Sequence, residues 1–124
     1  MRSRDNVISN LRKYGLKVFP CEGKKPDTNG TWKNVDENVP EGTNFGVTLG
    51  GINNIYVIDL DDERLIPYFQ TLIDDTYSVK TGKGVHIYVQ GGKLCPSNSS
   101  TESKYGHIDI KSNGGYVIGE TSLH

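Results

Sequence analysis

The sequence is poor in the features that settle a protein's class by composition alone. In 124 residues it has two cysteines, one methionine and one tryptophan. Cys21 and Cys95 stand far apart with no further partners, which excludes a disulfide framework and a CxxC zinc knuckle. No apolar run approaches the roughly 18–20 residues that span a bilayer. The N-terminal Met1-Arg2-Ser3-Arg4-Asp5 leads into a polar helical pattern with no signal-peptide h-region. An excess of either charge is missing too: 14 Lys+Arg against 15 Asp+Glu give a formal net charge of -1. That excludes a histone-like binder or a polybasic membrane adaptor working through bulk charge. The expectation is a soluble, cytoplasmic protein with no membrane partner. Any nucleic-acid contact must come from locally clustered cations.

Glycine is what the chain has in plenty. Its 15 glycines return a hydrophobic content of 34% to the globular range, because the usual average of about 45–50% counts glycine as well. The length fits one domain on a scale of roughly 100–200 residues per domain, so residues 1–124 are expected to form a single domain around one core.

Hydrophobic spacing supplies the elements. Val7, Ile8, Leu11 and Tyr14 recur on one helical face, with Ser3 or Asp5 to cap the start and Gly15 to stop it. Strands are expected at 16–19, halted by Pro20, at 45–49 and at 55–61. Leu65, Ile66, Phe69, Leu72 and Ile73 mark a second helix, with Pro67 tolerated in its first turn. Residues 77–80 and 85–89 read as strands joined by Thr81-Gly82-Lys83-Gly84, and 107–111 and 116–118 as closing strands. Residues 91–105, rich in Gly, Ser and Asn, read as a surface loop, and 21–42 as a long connection of the kind that often carries function. The fold class is α+β: a mixed, mainly antiparallel β-sheet with two main helices and no repeats.

Three aspartates carry the chemistry. On a strand, Asp59 and Asp61 project from one side and Leu60 from the other, some 6.5–7 Å apart by twice the per-residue rise. That spacing lets two carboxylates converge on hard divalent cations, which two-metal sites hold about 3.5–4 Å apart. An acidic strand-to-helix junction with nothing bound accounts for Asp-x-Asp equally well. Asp62 and Glu63 fall out of step and suit the first turn of the following helix. Asp109 lies between Ile108 and Ile110, whose parity puts it opposite them, on the same side as Lys111. A local Asp109–Lys111 pair is the plain alternative to a metal ligand there.

Lys80-Thr81-Gly82-Lys83-Gly84-Val85-His86 concentrates cations and glycines in one turn. It lacks the P-loop spacing, and the dinucleotide fingerprint fails at Ile87. What remains is backbone N–H groups beside two lysines, a plausible triphosphate cradle. His86 adds a side chain able to donate to a phosphate oxygen, although a lone histidine is more often structural. From Tyr77 to Gly115 the cations Lys80, Lys83, Lys93, Lys104 and Lys111 face only Glu102 and Asp109. The near-neutral total therefore hides an acidic front and a basic back half.

This order of motifs resembles the archaeo-eukaryotic primase superfamily, and within it the bifunctional primase–polymerase (prim-pol) domain of plasmid, phage and archaeal replication proteins. Asp59 and Asp61 match the first metal-binding motif, Gly84-Val85-His86 the second, and Ile108-Asp109 the third. Lys24-Lys25-Pro26 with Trp32 resembles the family's "KxP…W" stretch, and Asn44 to Gly50 its Asn-aliphatic-Gly strand. Asp109-Ile110-Lys111, Gly114 to Ile118 and Ser122-Leu123-His124 resemble its closing elements, with Glu120-Thr121 where prolines are common.

The resemblance implies a primase/RRM-like catalytic core performing template-directed, two-metal nucleotidyl transfer in DNA replication. Asp59, Asp61 and Asp109 would be catalytic and metal-binding, holding Mg²⁺ or Mn²⁺. Lys80, Gly82, Lys83, Gly84, His86 and Lys111 would bind nucleotide. Lys24, Lys25, Trp32 and Lys33 are candidates for the nucleotide or template side. The zinc stem of larger members has no counterpart, since only Cys95 falls in that stretch, so no zinc is expected. Partners would be dNTP or NTP, single-stranded DNA template and primer, and a helicase or helical primase domain in a longer parent protein. A nucleotide- or single-stranded-DNA-binding module with little synthesis activity is the alternative, and a metal-dependent nuclease a more distant one.

Overall fold

A computed structural model describes residues 4–23, 25–26, 36, 38–40, 43–93 and 96–119. Lys24, Trp32, Lys33, Cys95 and Ser122-Leu123-His124, singled out in the sequence, lie outside the described residues.

Helix α1, Arg4–Lys13, buries Val7, Ile8 and Leu11 of the stripe expected from the sequence, whereas Tyr14 falls past the helix end and is exposed. It closes in a Schellman motif: Leu16 N–H donates to Leu11 O and Gly15 N–H to Arg12 O, with Gly15 at φ 83°. The chain then enters strand β1, Val18–Glu22, which takes in Pro20 instead of stopping before it. The reason lies in which way the amides point. Val18 N–H leaves the sheet to donate to the Asp36 carboxylate, so the nitrogen two residues on faces the same way and costs no ladder bond to β3. The short β2, Lys25–Pro26, pairs with Cys21 and Glu22 of β1. Strand β3 is Asn44–Thr48 and β4 is Ile55–Leu60.

The second helical segment is divided. Residues Glu63–Phe69 form a 3₁₀ helix around Pro67, which has no N–H to give, and α2 occupies Gln70–Asp75. Asp62 caps it, accepting from Arg64 N–H at 2.8 Å. Strands β5, Ser78–Lys80, and β6, Val85–Gln90, follow. Strand β7, Ser99–Ser103, lies inside the segment that the sequence presents as loop. It carries no apolar residue and is almost wholly exposed, so hydrophobic alternation has nothing to mark there. Strands β8, Gly106–Lys111, and β9, Tyr116–Ile118, follow.

The architecture is α+β, with the strands divided between two antiparallel sheets where the sequence suggests one mixed sheet. One sheet has the order β2-β1-β3-β9 and the other β5-β6-β4-β8-β7. The five-stranded sheet is apolar on both sides, but unequally. Ile58, Leu60, Val85, Ile87, Val89 and Ile108 meet the 3₁₀ helix and α2 on one side. On the other side Ile55, Val57, Val79 and Tyr88 pack with α1 and the four-stranded sheet. That second face stays apolar only part of the way along the strands. Among the described residues, no helix is long and apolar enough to cross a membrane.

Candidate active site

The polar part of the face is built by register. Asp59 on β4 stands opposite His86 on β6 and opposite Asp109 on β8. Outward from these, His86 pairs with Val79 of β5 and Asp109 with Ser100 of β7. Alternation sends Val57, Asp59, His86, Tyr88, Asp109 and Lys111 to one side of the sheet and Ile58, Leu60, Ile87 and Ile108 to the other. Two residues along β4 thus separate the buried Val57 from Asp59, and core gives way to site.

Carboxylates directly opposite on adjacent strands repel each other, and here each is engaged from its outer side. His86 Nε2 lies 3.4 Å from Asp59 Oδ1, with side chains 13% and 27% exposed. Ser100 Oγ donates to Asp109 Oδ1 at 2.5 Å. The other ring nitrogen of His86, Nδ1, is buried and has no hydrogen-bond partner among the described residues. One row toward the core, Lys111 faces Val57 across the strands. One row toward the open end, Asp61 extends the ladder by donating its N–H to His107 O at 3.2 Å, and its side chain is exposed. The structure therefore brings Asp59, Asp109, His86 and Lys111 onto one face, with Asp61 at its mouth.

The turn before His86 is organised differently from an open amide cradle. Thr81 N–H donates to Gly84 O, and Gly84 N–H to Thr81 Oγ1, both at 3.0 Å, so these two amides are spent inside the turn. Gly84 is needed for packing: a Cβ there would fall 1.9 Å from Leu60 O and 3.1 Å from Asp62 N. Gly82 meets open space, and Lys83 is exposed at the tip. Lys80 pairs with Val85, which gives it the helix-side parity, and its Nζ lies 4.0 Å from Glu63. It does not share the face of His86.

Among the described residues, no three His, Cys, Asp or Glu side chains converge as a metal-binding group. Asp59 is engaged by His86 and Asp109 by Ser100. The donor set nevertheless fits a hard divalent cation: carboxylate oxygens are the ligands Mg²⁺ and Mn²⁺ take, and the opposed Asp59–Asp109 pair is a like-charge contact that a cation relieves. Sequence reasoning missed Ser100 and His107. Ser100 belongs to a strand without an apolar pattern. The signal for His107 was its i,i−2 relation to Asp109, which puts it on the same face.

The family model described as bifunctional DNA primase/polymerase, N-terminal, matches residues 9–124. No curated protein matches the chain. With nearly its whole length covered, the chain belongs to the bifunctional DNA primase/polymerase N-terminal domain family.

Proposed function

We propose that this primase/polymerase-family domain performs template-directed nucleotidyl transfer, joining dNTPs or NTPs to a growing strand on a single-stranded DNA template in plasmid-, phage- or virus-type replication. Asp59, Asp61 and Asp109 would hold Mg²⁺ or Mn²⁺. Bound there, such ions would supply activation of the attacking 3′-hydroxyl and stabilisation of the charge developing around the α-phosphate. The observation that carries this reading is the row His86–Asp59–Asp109, set side by side on three strands by register.

The chain's own residues have distinct tasks in this reading. Asp59 and Asp109 present carboxylate oxygens from central strands, whose rotation is restrained by the packed face behind them. His86, mostly buried, would donate toward a phosphate oxygen through Nε2, the nitrogen that lies near Asp59. Lys111 on the same face and Lys83 at the turn tip bring positive charge to the triphosphate and the leaving pyrophosphate. Val57 and Tyr88 close the site on the core side and keep water from below. In a longer parent protein, a helicase or helical primase domain would supply the template.

Primer extension and de novo priming with Mg²⁺ or Mn²⁺ test the reading, using the wild type and Asp59→Ala. Extension by the wild type and its fall to background in the variant, with thermal melting retained, is the expected result. Undiminished extension by Asp59→Ala overturns the assignment. Metal-dependent dNTP binding without extension by the wild type identifies a binding module instead, and DNA cleavage without added nucleotide a nuclease.

A further inference from the structure

Strand β7 presents a problem of physical economy. Its residues, Ser99-Ser100-Thr101-Glu102-Ser103, bury no hydrophobic side chain, yet it pairs with β8 along five positions. Side-chain hydrogen bonds fix that register at both ends. At the start, Asn98 Oδ1 accepts from Ser112 N–H at 2.8 Å and Asn98 Nδ2 donates to Asn113 O at 2.9 Å. At the turn, Ser103 Oγ donates to Gly106 O at 2.6 Å. Pinned this way, the strand brings Ser100 opposite Asp109, where its hydroxyl makes a bond of 2.5 Å, the length of a charge-assisted O–H···O⁻ contact.

We infer that Ser100 is a positioning residue for the metal site: its hydroxyl holds Asp109 Oδ1 and so fixes the orientation in which the other oxygen is offered to a divalent cation. The inference rests on the reading of Asp109 as a metal ligand. Partners that hydrogen-bond a ligating carboxylate orient it, and their removal typically costs about 10–100-fold in metal affinity or activity. Thr101 on the same strand pairs with Ile108, on the opposite parity to Ser100, so it reports on the strand without touching the carboxylate.

Mn²⁺ affinity of the full chain, measured by titration with electron paramagnetic resonance and no nucleotide or DNA present, tests this. Asp109→Asn, Ser100→Ala, Ser100→Thr and Thr101→Ala are compared with the wild type after thermal melting confirms that each folds. The expected pattern is a large loss for Asp109→Asn, a dissociation constant raised about tenfold for Ser100→Ala, recovery in Ser100→Thr, and no change in Thr101→Ala. If Asp109→Asn weakens binding while Ser100→Ala stays within twofold of wild type, the positioning role is overturned and the metal reading stands. If Ser100→Ala and Thr101→Ala weaken it equally, the effect belongs to the strand and the role is again overturned. If Asp109→Asn binds as the wild type does, the metal reading falls and this inference with it.

Discussion

Strands β6 and β7 do comparable work from opposite flanks of the β4–β8 pair, yet they are held in place by different physics. Strand β6 delivers His86 beside Asp59, and β7 delivers Ser100 to Asp109. Strand β6 is anchored by burial, with Ile87 fully enclosed and Val85 and Tyr88 nearly so. Strand β7 has no such anchor and is held by hydrogen bonds from Asn98 and Ser103. A one-residue slip of β6 would turn Ile87 out of the core, so its register is enforced by the hydrophobic effect. Register in β7 depends on a few polar contacts within reach of water. One flank of the site is therefore held by packing, and the other by hydrogen bonds within reach of water.

The sharpest way to break this comparison is to remove each anchor in turn. Ile87→Ala should cost about 2–5 kcal/mol through lost burial and a cavity between sheet and helix; chemical denaturation measures it, and a cost below about 1 kcal/mol would show that β6 is not held by its core. Asn98→Ala should cost about 1 kcal/mol, with faster amide exchange confined to Ser112 and β7. Faster exchange at Ile87 in that variant would mean that the two flanks are not independent. The smallest effect concerns the corner where the flanks meet. A Cβ on Gly84 would lie 3.1 Å from Asp62 N, and one on Gly106 would lie 3.6 Å from Asp62 Cβ. Arg64, through side-chain and backbone hydrogen bonds and its charge, holds the Asp62 carboxyl at about 2, against an ordinary 3.8. A depressed carboxyl stabilises the fold fully above the ordinary value, and the contribution fades as pH falls through about 2. Asp62→Asn should therefore flatten the decline in melting temperature between about pH 4 and 2 and leave the flanks unequal as before. An unchanged acid profile would remove Asp62 from the account.

The same contrast decides how much could be read from sequence. The sides taken by Asp59, His86 and Asp109 were legible strand by strand, because each is flanked by apolar residues whose parity fixes the side of the sheet, while Asp61, between Leu60 and Asp62, was placed by its spacing from Asp59. Strands β4, β6 and β8 follow directly from Ile55 to Leu60, Val85 to Val89 and Ile108-Ile110. Strand β7 was not legible, since a strand held by side-chain hydrogen bonds leaves no period in hydropathy. Lys80 was grouped with His86 by proximity in the chain, whereas the β5–β6 register gives it the opposite parity. Division into two sheets was hidden as well, because it depends on which edges meet and strand patterns do not encode that. Pro20 looked like a stop because the sequence does not say which way its nitrogen faces.

Gly84 carries a lesson for comparing relatives. In the motif Gly-x-His the glycine and the histidine sit side by side on the page but answer to different constraints. The histidine faces the site, whereas the glycine lies where β6 presses on the backbone leaving β4. A relative that had lost every carboxylate would still need that glycine, because its chain must still fold. Half of the motif thus answers to the packing of two strands, and only the other half to what lies on the face of Asp59.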